Sequence, residues 1–193
     1  MKMKLFCMAA AMALLAGCTM PNYYNLQSRA PLAGPLSSEA AAYVALPPDG
    51  QFRDKTIFDS GAKAASIVGS VCRQHFKSVT IGDQVRDPDG NRQAAADKHC
   101  AYLFDTKIVA WEDHNTPWTG ITDCVKIELT TINVANGAVL NVGDIWVEQS
   151  FMTVKDSRPE EFLGTGVDQY VKFLLGGPLP KAYPINMSAG KRY

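Results

Sequence analysis

The chain has 193 residues, 47% of them apolar, and its 19 lysines and arginines balance its 19 aspartates and glutamates. That length suits a single domain, and the absence of net charge disfavours binding to nucleic-acid phosphates. Global disorder is also excluded, since it requires low hydrophobicity together with a high net charge.

Residues 1–17 are predicted to be a lipoprotein signal peptide. Two lysines precede an apolar run at 5–16, which is too short for a membrane-spanning helix of about 20 apolar residues. The run ends in the letters LAGC at positions 15–18, which resemble a bacterial lipobox. We therefore expect cleavage before Cys18 and attachment of several acyl chains to it, enough to hold the protein stably on a bilayer. An ordinary signal peptide with a chance cysteine is the alternative. Thr19 then indicates sorting to the outer membrane, with the domain facing the periplasm.

Residues 18–40 are predicted to form a flexible tether after the lipid-bearing cysteine. They are rich in Pro, Ser, Asn and Ala and show no apolar periodicity, and such a chain reaches about 25 Å root-mean-square. Prolines, which helix interiors and central strands exclude, cluster before residue 49 and after residue 177. We therefore expect one domain at 41–176 and a C-terminal extension of unknown role at 177–193.

The first half of this domain alternates strands with helices. A short apolar run at 42–46 is stopped by a Pro-Pro-Asp-Gly turn, which predicts a buried strand. Apolar residues at three- and four-residue steps predict a helix at 60–79. A second strand is predicted at 79–85 and a short polar helix at 91–98.

The second half contains three successive strands, predicted at 100–111, 123–134 and 139–153. The middle strand alternates apolar with polar residues, as a half-buried strand does. Asn136-Gly137 before the third strand is a strong hairpin signal, so the three strands should form an antiparallel meander. A final helix ends at Gly176-Gly177.

The resulting order, β-α-β-(α)-β-β-β-α, predicts an α/β (α+β) sandwich. Its sheet should be mixed but largely antiparallel, with the helices packed on one face.

Three cysteines remain in the predicted mature domain: Cys72, Cys100 and Cys124. An oxidising envelope compartment permits at most one internal bridge among three thiols, and Cys72 with Cys100 is the favoured pair. Three buried, reduced cysteines explain the sequence about equally well. No CxxC or HxxxH spacing occurs, so we expect no metal site and no cofactor.

The connection that follows the first meander strand is the candidate binding tip. It concentrates aromatic and polar residues, which dominate recognition surfaces: Trp111, Glu112, Asp113, His114 and Trp118. In the alternative interpretation Trp111 simply closes the core and the acids are solvated. Adjacent residues on a strand point to opposite faces, which disfavours a catalytic or metal cluster there.

No other arrangement of residues indicates catalysis. Asp144 and Glu148 share a strand face, as paired catalytic carboxylates would, but a solvated sheet face explains them equally well. No GxSxG, HExxH or glycine-rich phosphate loop is present. We therefore expect that the protein is not an enzyme.

Several short blocks of the sequence resemble the bacterial lipoproteins grouped as DUF4823, a domain of unknown function, and the resemblance covers residues 41–176. The blocks are Ala42-Tyr43-Val44-Ala45-Leu46-Pro47 with Asp49-Gly50, Ser60-Gly61-Ala62-Lys63, and Trp111-Glu112-Asp113 with Trp118-Thr119-Gly120. More distantly, the element order is similar to the envelope domains of CsgG-type secretion lipoproteins, of TolB and of LpoB activators. That wider likeness is an analogy of fold and transfers no function.

These observations favour a lipid-anchored, non-enzymatic envelope protein whose domain binds another envelope protein or peptidoglycan. The alternative is a small-ligand or glycan (muropeptide) binder that uses Trp111 and Trp118. An export-pore subunit is less favoured, because membrane strands of about 10 residues each would not fit into these short connections.

Overall fold

A mixed sheet of six strands, in the order β1-β8-β7-β6-β2-β5, forms the centre of the domain. The computed structural model describes residues 23–52, 54–112, 123–148 and 158–179. In chain order the elements are β1 (Tyr23–Ser28), β2 (Ala41–Leu46), β3 (Gln51–Phe52), β4 (Lys55–Thr56), α1 (Ser60–His75), β5 (Ser78–Val85), α2 (Pro88–Asp97), β6 (Tyr102–Glu112), β7 (Cys124–Asn133), β8 (Val139–Glu148) and α3 (Pro159–Leu174).

The expected antiparallel meander is present as β6, β7 and β8. Its second hairpin turns at Asn136-Gly137, where Gly137 has a φ of 71°, the left-handed conformation that such turns need. On the other side of β6 the pairing changes, since β2 runs parallel to both β6 and β5. The short β3 and β4 form a separate two-stranded ribbon.

The two long helices, α1 and α3, cover one face of the sheet. Strand β7 shows why, because Val125, Ile127 and Leu129 are fully buried while the residues between them are half-exposed. These alternate residues join the apolar faces of both helices in the main core, including Val68 from α1 and Leu163 from α3. The α/β sandwich with a mixed sheet is therefore confirmed.

The short helix α2, which was expected at 91–98, packs on the opposite face, so the expectation that the helices share one face is wrong for this helix. Strand β2 is buried on both faces, as central strands with parallel neighbours are. Ala42 and Val44 belong to the main core, whereas Tyr43 and Ala45 belong to a second, smaller cluster with Ala95 of α2.

Strand β1 was not expected, because it lies within the predicted tether. It pairs antiparallel with β8, from Tyr23 opposite Glu148 to Ser28 opposite Gly143. Leu26 is only 3% exposed and packs into the main core, Tyr24 packs against the same core, and the pairing with β8 completes the contacts of this edge strand. The tether expectation is therefore wrong for these six residues.

The expected pairing of Cys72 with Cys100 is also wrong, because both are free thiols in the structure. Cys72 is a residue of α1 and lies in the main core. Cys100 lies in the smaller cluster beside α2, on the other side of the sheet. Burial raises the pKa of the Cys72 thiol to about 12. Cys124 is buried as well.

Candidate functional site

The structure divides the predicted binding tip. Trp111 is 2% exposed and packs in the main core, which agrees with the structural interpretation of that residue. Glu112 is equally buried at the end of β6. The other members of the tip, Asp113, His114 and Trp118, lie outside the described residues, as does the predicted lipidation site, Cys18. Of the two tryptophans expected to bind a ligand together, Trp111 and Trp118, the first is therefore a core residue.

A different surface combines charges with an aromatic ring. On the sheet face opposite α1 and α3, strands β6, β7 and β8 present half-exposed side chains between their buried core positions. We call this surface the polar face, and its members are Asp105, Lys126, Glu128, Asp144 and Trp146.

Arg29 binds two carboxylates of the polar face. It follows β1 directly, and its guanidinium donates hydrogen bonds to Glu128 and, at 2.9 Å, to Asp144 Oδ1. Because Glu128 lies on β7 and Asp144 on β8, one side chain joins three strands. The hydrogen bonds to Glu128 and Asp144 raise the pKa of Arg29.

Asp105 on β6 adds a third carboxylate, placed in a less favourable environment. Burial raises its pKa, and the negative charge of Glu128 raises it further. Ionisation of Asp105 therefore costs free energy, whereas the charges of Glu128 and Asp144 are neutralised by Arg29.

The aromatic part of the polar face is Trp146, with the ammonium of Lys126 at 5.8 Å from the ring centroid. That distance is within the range of a cation–π interaction. Asp144 and Glu148 share one strand face, as expected from the sequence, but Trp146 between them on the same face was not predicted. The period of two along β8 was the signal that could have found it.

A second concave surface lies between the two long helices. This groove has a volume of about 490 Å³ and is lined mainly by small or polar side chains, among them Ser66, Ser70 and Thr165. Ion pairs cross between the helices beside it, from Lys63 to Glu160 at 3.0 Å and from His75 Nε2 to Asp168 Oδ1 at 2.7 Å.

Neither surface has the composition of a metal centre. Within residues 23–52, 54–112, 123–148 and 158–179, no three His, Cys, Asp or Glu side chains are grouped so that they could hold a metal ion. In the same ranges, every helix is too short or too polar to cross a lipid bilayer.

Comparison with protein families gives one match. The model described as "Domain of unknown function (DUF4823)" matches residues 35–174. A comparison with functionally curated proteins finds no match.

Solved structures show the same fold at low sequence identity. The PelC dodecamer from Paraburkholderia phytofirmans is 15% identical with a TM-score of 0.61, over 80% of this chain and 99% of that chain. Lipoprotein GNA1162 from Neisseria meningitidis is 11% identical with a TM-score of 0.46, over 72% and 99% of the two chains. At such identities the likeness to PelC shows a shared fold only, and the weaker likeness to GNA1162 supports no argument.

Proposed function

This chain belongs to the DUF4823 family, and from that premise we propose that it is a lipid-anchored protein of the bacterial outer membrane. Its domain faces the periplasm and binds another envelope component, a protein or peptidoglycan, without catalysing a reaction. The lipobox at 15–18, at the end of a charged and then apolar leader, supports the anchor.

The polar face is the observation that carries the binding role. Complementary charges at fixed positions select partners and set their orientation more than they add affinity. Arg29 fixes Glu128 and Asp144, and Lys126 lies over the ring of Trp146. A partner thus meets both signs of charge beside an aromatic ring, a residue type enriched at interface hot spots.

Crosslinking from the polar face tests this role. A photoreactive amino acid replaces Lys126 in the acylated protein, and a matched control replaces Gln74, an exposed residue on the helix side of the sheet. We expect adducts with an envelope protein or with peptidoglycan from position 126 and none from position 74. Charge reversal by Asp144→Lys should remove them. Equal labelling from both positions, or none from either, would count against the proposal.

Anchoring is tested separately with Cys18→Ser. This variant should lose acylation and leave the membrane fraction, while its folded domain keeps the same melting temperature. A membrane-bound Cys18→Ser protein would contradict the lipid anchor.

Self-assembly is a second candidate role, favoured by the similar fold of the PelC dodecamer. The six-stranded sheet ends in β1 on one side and β5 on the other, and such edge strands can pair with a further strand. Pairing of unlike edges between copies closes a ring when the rotation per subunit permits it. Mass measurement of the acylated protein in detergent should then show a ring-sized particle, and a monomer at micromolar concentration would exclude it.

A further inference from the structure

One end of the sheet is held close to the lipid anchor. Strand β1 begins at Tyr23, opposite Glu148, the last residue of β8. We call the end of the domain at Tyr23 and Glu148 the anchored end. Cys18 is only five positions before Tyr23, and five residues span at most about 17 Å in any conformation. If Cys18 bears the lipid, as proposed above, the anchored end cannot move further than this from the bilayer.

Two exposed apolar side chains, Phe58 and Val109, lie towards the anchored end. Four large apolar residues of the described chain are exposed: Phe58 at 80%, Val139 at 57%, Val85 at 54% and Val109 at 38%. Helix α3 begins at the anchored end, because Gly166 lies against Val147 while Tyr170, one turn later, lies against Gly143. Phe58 precedes α1, whose first turn is paired through Lys63 with the first turn of α3. Val109 lies in the last third of β6, which ends opposite Cys124 at the anchored end. Phe58 and Val109 therefore share the half of the domain that lies towards the anchored end, whereas Val85 pairs with Leu46 near the middle of the sheet.

Val139 marks the opposite end. It is the first residue of β8, whereas Glu148 is the last. At about 3.4 Å per residue, the two are about 30 Å apart along the strand, which is more than the chain from Cys18 to Tyr23 can span.

The loop around Phe58 is held by hydrogen bonds on both sides, so the exposure of this ring is built into the fold. The Ile57 N–H donates to the Gly50 carbonyl at 2.9 Å, and Ile57 itself packs against the main core. On the other side, the Asp59 N–H donates to Asp49 Oδ2 at 3.2 Å. Phe58 is therefore held between Ile57, which is partly buried against the core, and Asp59, whose N–H is hydrogen-bonded, while its own side chain is exposed to solvent.

We propose that the anchored end rests on the lipid bilayer and that Phe58 inserts at the boundary between headgroups and acyl chains. Aromatic rings favour this depth, and apolar side chains buried there add to the affinity that the lipid provides. The bilayer is the surface that we expect to cover these side chains, because the short link from Cys18 keeps the anchored end within reach of it. The inference rests on the proposed lipidation of Cys18.

Fluorescence quenching tests the contact. Phe58→Cys and Val139→Cys are each labelled with an environment-sensitive fluorophore in the full acylated chain, in which the native thiols Cys72, Cys100 and Cys124 are buried. The proteins are reconstituted into phosphatidylethanolamine and phosphatidylglycerol vesicles that contain brominated acyl chains. We expect a blue shift and a loss of emission for the label at 58, and neither for the label at 139, which has a similar apolar exposure at the far end.

The outcomes separate the two proposals. If the chain sediments with vesicles but the labels at 58 and 139 respond alike, the orientation is wrong and the anchor stands. If the chain does not sediment with vesicles, the anchor is wrong and the orientation falls with it. Val109→Cys provides a second reporter in the same half of the domain as Phe58, should labelling at 58 disturb its loop. A response there that equals the response at 139 would also overturn the orientation.

Discussion

Gly143→Ala provides the sharpest test of how α3 packs on the sheet. A Cβ atom at position 143 of β8 would overlap the ring and hydroxyl of Tyr170, well inside the 3.0 Å that such contacts require. Tyr170 is fully buried, and its hydroxyl donates a hydrogen bond to Asn141 Oδ1. The methyl group must therefore displace a ring that has no free space around it.

The expected cost follows from these two contacts. Forcing an extra methyl group into a packed core costs about 1–3 kcal/mol. Separating Tyr170 from Asn141 leaves buried polar groups unsatisfied, at about 1–3 kcal/mol. We therefore expect a loss of about 3–5 kcal/mol in the free energy of unfolding, measured by urea titration with circular dichroism. The melting temperature should fall by about 10 °C, at a few degrees per kcal/mol for a chain of this size.

Gly164→Ala is the matched control within α3. Its Cβ would meet only Ile67 Cγ2, at 3.8 Å, an ordinary contact. Replacing a helical glycine with alanine should then stabilise the protein by about 0.5–1 kcal/mol. Adding Tyr170→Leu to Gly143→Ala should recover part of the loss, because the two side chains compete for one space. Close packing of Tyr170 on Gly143 is contradicted if the free energy of unfolding of Gly143→Ala stays within about 1 kcal/mol of the parent. It is also contradicted if both alanine variants lose the same amount of free energy.

Three further predictions concern titratable groups. The pKa of Asp105 is higher in the folded protein than in the unfolded chain. The protonated side chain therefore contributes fully to stability below the unfolded pKa, and this contribution is lost as the pH rises through the folded pKa. Asp105→Asn should therefore be more stable than the parent at pH 7 and lose this advantage at pH 3 in urea titrations, and a destabilised pH 7 variant would contradict the assignment. Burial raises the pKa of Asp168, but its bonds to Lys172 and His75 outweigh this and lower it, so its contribution is present above pH 4 and lost on acidification. Asp168→Asn should cost up to about 1 kcal/mol at pH 7 and progressively less as the pH falls below 4, and a loss that does not change with pH would point to packing instead. Finally, Cys72 should react with a thiol reagent only after unfolding, because burial raises its pKa to about 12. A lower melting temperature in dithiothreitol would instead reveal a bridge.

The meander and the two long helices could be predicted from the sequence because their periodicity is long and regular. Strand β7 alternates over eight residues, from Val125 to Ile132, and the helix pattern after residue 60 repeats over four turns. Strand β1 offers no such pattern, since Leu26 is the one buried side chain among residues 24–28, and its stability comes from pairing with β8. The strand conformation of β1 depends on its pairing with β8, which is distant in the sequence, so these residues alone do not predict it.

The candidate site was harder to predict because sequence position does not show which face of the sheet a residue occupies. Trp111 and Trp146 are both near the end of a meander strand, yet one lies in the core and the other on the polar face. The same problem misled the pairing of Cys72 with Cys100, whose surroundings are separated by the sheet itself. In each case the missing information was the register that assigns alternate residues to one side.

The polar face and the anchored end together constrain which partner can bind. Strand β7 begins, and strands β6 and β8 end, on the side of the anchored end. When this end rests on the bilayer, the strands extend away from the membrane. The polar face then points sideways, parallel to the membrane surface. Lys126 and Trp146 are two positions from the last register pair, Cys124 with Glu148, and so lie about 7 Å from the anchored end. A partner held in the same leaflet meets this surface directly, whereas peptidoglycan meets the end at Val139 first. If both proposals hold, this geometry favours a membrane-anchored protein over peptidoglycan as the partner proposed for the polar face.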